Sequence, residues 1–385
     1  MILIKKNCVS CGVCVDVCPV TALRLNKTDV TVDPKVCIDC GICAKKCPFG
    51  AIKSKNKPDK FLIRDIRLQV TGECNLKCPW CFSDAKNPLP DELSLEEAYS
   101  VVDQLIACGL KTMTLTGGES LLRKDFSLGL LNYLHRKKIY AKLFTNGSLL
   151  DERIIADIAG KVSEVQISVY SKNSWLRVKR LFLILKKYKV RAVMRITLTS
   201  RNYRDIKKLI SLAEKSKADC VRVRPFIVKG RGAKHKDYLL NEKARESIKY
   251  LVSIRRKKNY PIQLLAPAFP FLYDKQIKPD SFTDRGFIGY TLCKCIEDMG
   301  TILPDGGVRA CGYFPQDLGN IKKQSFREIW SRKNKIKNGL IVGRLDKECM
   351  DCAYITICGG GCRANAYVNT GSLTARDPNC PKKRI

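Results

Sequence analysis

The chain has 385 residues, 45% of them hydrophobic, with 71 Lys and Arg against 37 Asp and Glu and a formal charge of +34. That length suits two to three domains, and ordinary hydrophobic content excludes a disordered or fibrous chain. No run approaches 18 apolar residues, which excludes a membrane-spanning helix, and Met1-Ile-Leu-Ile-Lys-Lys is too short an apolar start for a signal peptide. A cytoplasmic setting is therefore expected, and with it a reading of the 21 cysteines as metal ligands rather than disulfides.

Residues 8–18 read Cys-Val-Ser-Cys-Gly-Val-Cys-Val-Asp-Val-Cys before Pro19. Residues 37–47 read Cys-Ile-Asp-Cys-Gly-Ile-Cys-Ala-Lys-Lys-Cys before Pro48, so the run repeats with glycine and proline in register. This resembles the bacterial-type two-cluster ferredoxin pattern, in which the fourth cysteine of each run serves the other cube. The resemblance implies one [4Fe–4S] cube on Cys8, Cys11, Cys14 and Cys47, and a second on Cys37, Cys40, Cys43 and Cys18. Gly12 and Gly41 allow the tight wrap that three closely spaced ligands require. A unit this small has little core, so its clusters are expected to hold it together.

Lys53–Lys60 is polar, contains Pro58 and reads as a linker. Phe61–Val70 then reads as a strand whose apolar alternation is partly broken by Asp65 and Arg67, and Gly72 supplies a bend. The loop that follows is Cys74-Asn-Leu-Lys-Cys78-Pro-Trp80-Cys81. A [4Fe–4S] cube normally takes four thiolates. Three on one short loop leave an iron open to a small molecule, as the open position of a catalytic zinc site does.

Strands and helices then alternate to about Ile262. Helices are expected over Ser94–Ala107 (Ser94 and Glu97 form a capping box), Asp125–Lys137, Asp151–Ala159, Ser174–Tyr188, Tyr203–Lys215 and Asn241–Lys257. Strands are expected over Thr112–Leu115, Ala141–Phe144, Glu164–Val169, Arg191–Thr197 and Cys220–Ile227. Such alternation means a parallel sheet with helices outside and chemistry at the carboxyl ends of the strands. Gly117-Gly118-Glu119 and Asn146 fall at those ends, and Ser168 and Arg195 lie on later strands. Cys108 and Cys220 sit in apolar contexts and read as buried, inert thiols. His135 and His235 read as surface residues.

The last hundred residues hold Cys293, Cys295 and Cys311, then Cys349-x2-Cys352-x5-Cys358-x3-Cys362, then Cys380. Leu318-Gly-Asn-Ile and Phe326-Arg-Glu-Ile-Trp330 lie between them.

Together these motifs resemble the radical S-adenosylmethionine (SAM) superfamily with its C-terminal, cysteine-rich SPASM extension, and the resemblance covers nearly the whole chain. It implies an α/β fold built on a partial (β/α)6 barrel, divided as 1–57 (ferredoxin-like), 58–285 (radical SAM) and 286–385 (SPASM). It implies that SAM chelates the open iron of the Cys74, Cys78 and Cys81 cube. Trp80 precedes the third ligand, and Gly117, Gly118 and Glu119 lie against the SAM amino group. Asn146, Ser168 and Arg195 take positions that hold its carboxylate or ribose in relatives. Relatives often continue the Ser168 strand as Leu-Asp-Gly, whereas this chain has Val169-Tyr170-Ser171. Two auxiliary cubes are implied, one on Cys293, Cys295, Cys311 and Cys362, the other on Cys349, Cys352, Cys358 and Cys380. The tight Cys293-x-Cys295 pair departs from many relatives.

Five [4Fe–4S] clusters follow, with oxygen-sensitive, anaerobic chemistry. One electron cleaves SAM to a 5′-deoxyadenosyl radical, which takes a hydrogen atom from substrate. Relatives point first to oxidation or crosslinking of a peptide or protein side chain, and second to tetrapyrrole decarboxylation. A multicluster electron-transfer protein is the alternative of another class, and the intact Gly117-Gly118-Glu119 and Trp80 argue against it. The basic residues are spread along the chain without a nucleic-acid motif. They suit an acidic substrate and a low-potential electron donor such as a ferredoxin.

Overall fold

A computed structural model describes residues 3–4, 7–26, 29–47, 49–54, 63–255, 262–265, 299–333, 345–352 and 355–380. Its centre is a sheet whose strands follow the chain in parallel: β5 (Asp65–Gln69), β6 (Thr112–Thr116), β7 (Tyr140–Thr145), β8 (Val162–Ser168), β9 (Ala192–Leu198) and β10 (Cys220–Pro225). These are the six strands expected, in the expected order. The sheet goes further at both edges. β11 (Gln263–Leu265) pairs in parallel with β10, and β12 (Met299–Ile302) pairs in parallel with β5. A hairpin, β13 (Gly307–Arg309) and β14 (Asp317–Asn320), completes ten strands. β12 lies beyond the division expected at 285, so the C-terminal extension supplies a strand to the barrel sheet itself.

The strands have two faces of different chemistry, as a period of two requires. Ile66, Leu68, Met113, Leu115, Leu143, Val165, Ile167, Met194, Ile196, Val221 and Val223 are all buried. They share one core with the apolar sides of the surrounding helices, such as Val102 and Leu105, Leu130 and Leu134, and Phe182 and Leu185. The intervening positions are polar: Asp65, Arg67 and Gln69 on β5, Gln166 and Ser168 on β8, Arg195 and Thr197 on β9, Arg222 and Arg224 on β10. Asp65 and Arg67, which interrupt the strand pattern in the sequence, belong to that second face.

Local signals fix the helix ends. Ser94 caps Leu95–Ala107 through the full capping box with Glu97, and Asp151 caps Glu152–Ile158. The helix expected from Asn241 begins later, as Arg245–Arg255 after a short 3-10 turn.

The N-terminal unit has two hairpin-like pairs, β1 (Leu3–Ile4) with β4 (Ile52–Lys53) and β2 (Leu23–Leu25) with β3 (Val30–Val32). Its two short helices, Val13–Val17 and Ile42–Lys46, each start on a left-handed glycine, Gly12 at φ 79° and Gly41 at φ 74°. Its apolar core extends onto Val193 and Cys220, near the amino ends of β9 and β10. Gln263 Nε2 donates to Leu23 O at 3.0 Å. The unit thus packs at the amino ends of the barrel strands, away from the loops at their carboxyl ends.

Candidate active site

The three-cysteine loop leaves β5 and lies over the carboxyl ends of the parallel strands. Cys74, Cys78 and Cys81 line one cavity with Trp80, Gly117, Gly118, Asn146, Ser168 and Arg195. Burial raises the Cys78 thiol, and its neighbours Cys81 and Cys74 raise it further. Such mutual repulsion is what a metal core relieves. Among the described residues no three His, Cys, Asp or Glu side chains are grouped as a single metal ion would require. Three thiols on one short loop that feel one another fit three corners of a cube.

Glycines 117 and 118 have a reason beyond ligand access. A Cβ on Gly118 would stand 1.8 Å from Glu73 O, and one on Gly117, at φ +151°, 2.8 Å from Thr71 O. The strand end is pressed against the cluster loop and bonded to it: Gly118 N donates to Thr71 O and Glu119 N to Glu73 O, each at 2.8 Å. Glu119 is not among the lining residues. Its buried carboxylate accepts from Thr145 Oγ1 and Asn146 N at 2.7 Å and from Leu121 N at 3.2 Å. It ties the ends of β6 and β7 together, and burial raises its pKa. The Asn146 amide donates to Asn75 Oδ1 at 2.9 Å and so holds the cluster loop from the side.

Several lining residues escape sequence reasoning. Tyr170 stands edge-on to Trp80 with ring centroids 4.5 Å apart and lies beside the Cys78 thiol. Tyr313, from the C-terminal extension, meets Phe82 edge-on at 4.7 Å and lies beside Arg195. Arg195 also lies 4.5 Å over the Phe144 ring, and burial lowers its pKa to about 10. Arg67, Arg224 and Thr301 complete the polar wall. Arg231 clasps the cluster loop from outside, donating to Cys78 O at 3.0 Å and to Ala85 O at 2.8 Å. Only the basic alternation Val221-Arg222-Val223-Arg224 could have signalled part of this wall.

The other cysteines fall into groups as well. Burial raises the Cys14 thiol, with Cys11, Cys43, Cys47 and Cys8 adding to it; burial likewise raises Cys43, with Cys40, Cys18 and Cys37 adding. The two runs therefore interleave: Cys47 comes beside the first and Cys18 beside the second. The repeat extends to the acceptors, since Ala22 N donates to Cys18 Sγ and Ala51 N to Cys47 Sγ, both at 3.2 Å. In the extension, burial raises Cys358, with Cys380 and Cys352 contributing, and Cys349 also feels Cys380. Cys311 lies near Lys229, and Cys362 N donates to Asp377 Oδ2 at 2.6 Å. Cys293 and Cys295 lie outside the described residues. Cys220 is fully buried and Cys108 partly so. Among the described residues no helix is long and apolar enough to cross a membrane.

Comparison with known proteins agrees with this layout. Residues 68–213 match the radical SAM superfamily, residues 7–51 a 4Fe-4S dicluster domain, and residues 293–358 the iron-sulfur cluster-binding SPASM domain. A Fe-coproporphyrin III synthase of Methanosarcina barkeri is 27% identical over 351 residues, covering 81% of this chain and 86% of that protein. An AdoMet-dependent heme synthase of the same organism is 26% identical, covering 82% and 96%. Among solved structures, Streptococcus suis SuiB bound to S-adenosylmethionine superposes with a TM-score of 0.64 at 19% identity, covering 84% of this chain and 78% of that one. The anSMEcpe structure with bound AdoMet gives 0.62 at 19%, covering 83% and 90%. The chain belongs to the radical SAM superfamily, as an enzyme with a SPASM extension and an N-terminal two-cluster ferredoxin domain.

Proposed function

We propose that the cavity over the carboxyl ends of the strands is where SAM and substrate meet, with Cys74, Cys78 and Cys81 holding the SAM-binding cube. The observation that carries this is the convergence of those thiols, the Gly117-Gly118 backbone and the Arg195 guanidinium on one cavity. When bound, the cube and SAM supply a 5′-deoxyadenosyl radical that abstracts hydrogen; the protein supplies position and exclusion of water. Gly117 and Gly118 shape the amino end of the SAM site, and Asn146 and Glu119 keep the loops beside it in place. Ser168 and Arg195 are the polar contacts for its carboxylate or ribose. Trp80 and Tyr170 form an aromatic wall that keeps water off the thiols.

Four further cubes complete the set: two on the crossed N-terminal runs, one on Cys349, Cys352, Cys358 and Cys380, and one on Cys293, Cys295, Cys311 and Cys362. The divisions 1–57, 58–285 and 286–385 serve electron delivery, SAM chemistry and the substrate side, in a cytoplasmic enzyme. The N-terminal unit takes electrons from a low-potential protein donor such as a ferredoxin, whose acidic surface the basic chain attracts.

Two substrate classes remain in view. The relatives that match most of the chain are named for heme and Fe-coproporphyrin III synthesis, which favours a propionate-bearing tetrapyrrole. The peptide reading made from the sequence is supported by fold neighbours solved with peptides, SuiB with its precursor peptide among them; at 17% identity that likeness speaks for the fold. The test is anaerobic reconstitution followed by SAM and dithionite. Formation of 5′-deoxyadenosine, with about 20 irons and 20 sulfides per chain, is the expected result. Mass spectrometry of added coproporphyrin III and of acidic peptides then separates the two substrates. A fully loaded protein that leaves SAM intact would refute the enzyme reading.

A further inference from the structure

Each of the three thiols on the cluster loop has a group beside it that can donate a hydrogen bond. Leu76 N donates to Cys74 Sγ at 3.4 Å, and Ser83 Oγ lies 3.4 Å from Cys81 Sγ. Both partners stand two residues from their cysteine, so they come with the loop. Cys78 differs. Its neighbour is the phenol of Tyr170, which follows β8 and lines the same cavity.

Tyr170 is firmly mounted. Its N–H donates to Ser174 Oγ at 2.9 Å, at the capping box that starts the Lys172–Lys187 helix. Asn202 Nδ2 donates to its carbonyl at 3.4 Å. The ring meets Trp80, which lies between the second and third cysteines of the loop, edge-on at 4.5 Å. The hydroxyl has a second neighbour, since Arg177 Nη2 donates to its oxygen at 3.3 Å. A guanidinium accepts nothing, and a phenol with a pKa of about 10 keeps its proton at neutral pH. The proton is therefore left for another partner, and the Cys78 sulfur stands beside it. The sequence fits this role. Tyr170 occupies the position where a Leu-Asp-Gly continuation would put a carboxylate. An aspartate there would turn a like charge toward the sulfur, whereas the phenol turns a donor toward it.

We propose that Tyr170 tunes the SAM-binding cube: its hydroxyl donates to the Cys78 sulfur, with Arg177 behind it, and raises the reduction potential of that cube. Reduction adds one electron, and so one negative charge, to the cube and its thiolates; the low-potential donor supplies it, and no bond or proton is exchanged. A donor aimed at a ligand sulfur stabilises the more negative, reduced form more than the oxidised one. Arg177, by donating to the phenol oxygen, polarises the O–H toward the sulfur. Tyr170 is thus a positioning residue that decides how readily the site accepts its electron. The assignment rests on the radical SAM reading of the same cavity.

The experiment is an anaerobic redox titration of the reconstituted full chain, followed by electron paramagnetic resonance. The SAM-binding cube is identified as the reduced signal that changes when SAM is added, and the other cubes serve as internal controls. Tyr170→Phe keeps the ring against Trp80 and removes the donor. It should shift the one-electron equilibrium of that cube about threefold to tenfold toward the oxidised form, a midpoint about 30–60 mV lower, and leave the other midpoints in place. Arg177 is exposed, so Arg177→Met tests the same bond without touching the cavity. It should give a shift of about twofold, or about 20 mV, in the same direction. The double variant should fall no further than Tyr170→Phe alone, because Arg177 acts through the phenol. An unchanged midpoint in Tyr170→Phe overturns the proposal, as does an equal fall at every cube. So does an unchanged midpoint with weaker SAM binding, which would make Tyr170 a contact of SAM instead. Additive shifts in the double variant overturn the part given to Arg177. A loaded wild type without any SAM-responsive signal would sink the radical SAM reading itself, an outcome distinct from a signal whose midpoint ignores Tyr170.

Discussion

Gly118→Ala should be among the most damaging single-methyl additions the barrel can receive. The new Cβ would lie 1.8 Å from Glu73 O and 2.4 Å from Glu73 C. A carbon–oxygen contact normally needs about 3.3 Å, so the β6 end and the cluster loop must part by roughly 1.5 Å. Both partners are backbone, and neither can rotate aside. The separation breaks the Gly118 N to Thr71 O and Glu119 N to Glu73 O bonds, both 2.8 Å. At about 1 kcal/mol for each bond and 1–3 kcal/mol for the overpacking, the loss is roughly 3–5 kcal/mol. That is a large part of the 5–15 kcal/mol typical of a folded domain. Gly129→Ala is the matched control. Its Cβ would come within 2.8 Å of Leu95 Cδ2 and 3.3 Å of Tyr99 Oη, both ends of movable side chains. It also gains up to about 1 kcal/mol of helix propensity, so it should be near neutral. Anaerobic thermal unfolding of the reconstituted proteins, with 5′-deoxyadenosine formation as the second readout, compares the two. If Gly118→Ala unfolds within about 1 kcal/mol of wild type and keeps its activity, the glycine is there for some other reason than the Glu73 backbone.

Three further outcomes follow from the site. Cys78→Ala should lose 5′-deoxyadenosine formation together with about four of about 20 irons; full SAM cleavage by the variant would reject the assigned cube. Arg224→Gln should raise the unfolding midpoint at pH 7, because a base whose folded pKa is lowered, here to about 9, costs stability while both states are charged. That cost fades as pH climbs above the folded value toward the unfolded one, so the gain over wild type should shrink in melts above pH 9. A gain that grows with pH would reverse the sign of the argument. Removing residues 1–55 would bare Val193 and Cys220, both at 0% exposure, and so mix electron delivery with solubility. The cleaner test is the pair Cys14→Ala and Cys43→Ala in the intact chain. Turnover with a protein reductant should fall far more than turnover with dithionite, and the wild-type rate with the protein reductant should drop as salt rises. Equal loss with both reductants would count against a delivery role.

The cysteine spacings pointed to the loop whose three thiols line the cavity, because a cube would dictate where its ligands stand in the sequence. Strand order was legible from the alternation of periods, and helix starts from residues such as Ser94 and Asp151, whose bonds are local. Two kinds of feature were not. The first is tertiary: Tyr313, Thr301 and Arg231 reach the cavity or its loop from segments remote in sequence, and nothing in their neighbours marks them. The second is a reason rather than a residue. Gly118 stands out in the sequence as a glycine for ligand approach, but what forbids a side chain in the fold is the Glu73 carbonyl. Asp65 and Arg67 look like faults in an apolar strand only while the barrel interior is assumed to be apolar.

The C-terminal extension also completes the structure around the loop that carries Cys74, Cys78 and Cys81. Without β12, the strand that feeds the cluster loop would be an open edge, with unpaired backbone groups beside the reactive site. β12 covers that edge along Asp65–Leu68 and brings Thr301 against Arg67. The loop after β10 is bound to the same extension. Asn365 Oδ1 accepts from Val228 N at 3.1 Å, Asn379 Nδ2 donates to Phe226 O at 2.7 Å, and Lys229 Nζ donates to Gly312 O at 2.8 Å. From that loop Arg231 reaches Cys78 O and Ala85 O, so the chain of contacts runs from the extension through the β10 loop to the cluster ligands. Asp377 closes the circuit, accepting from Cys362 N and from Asn365 Nδ2. A run of hydrogen bonds therefore links the extension to the loop that carries Cys74, Cys78 and Cys81.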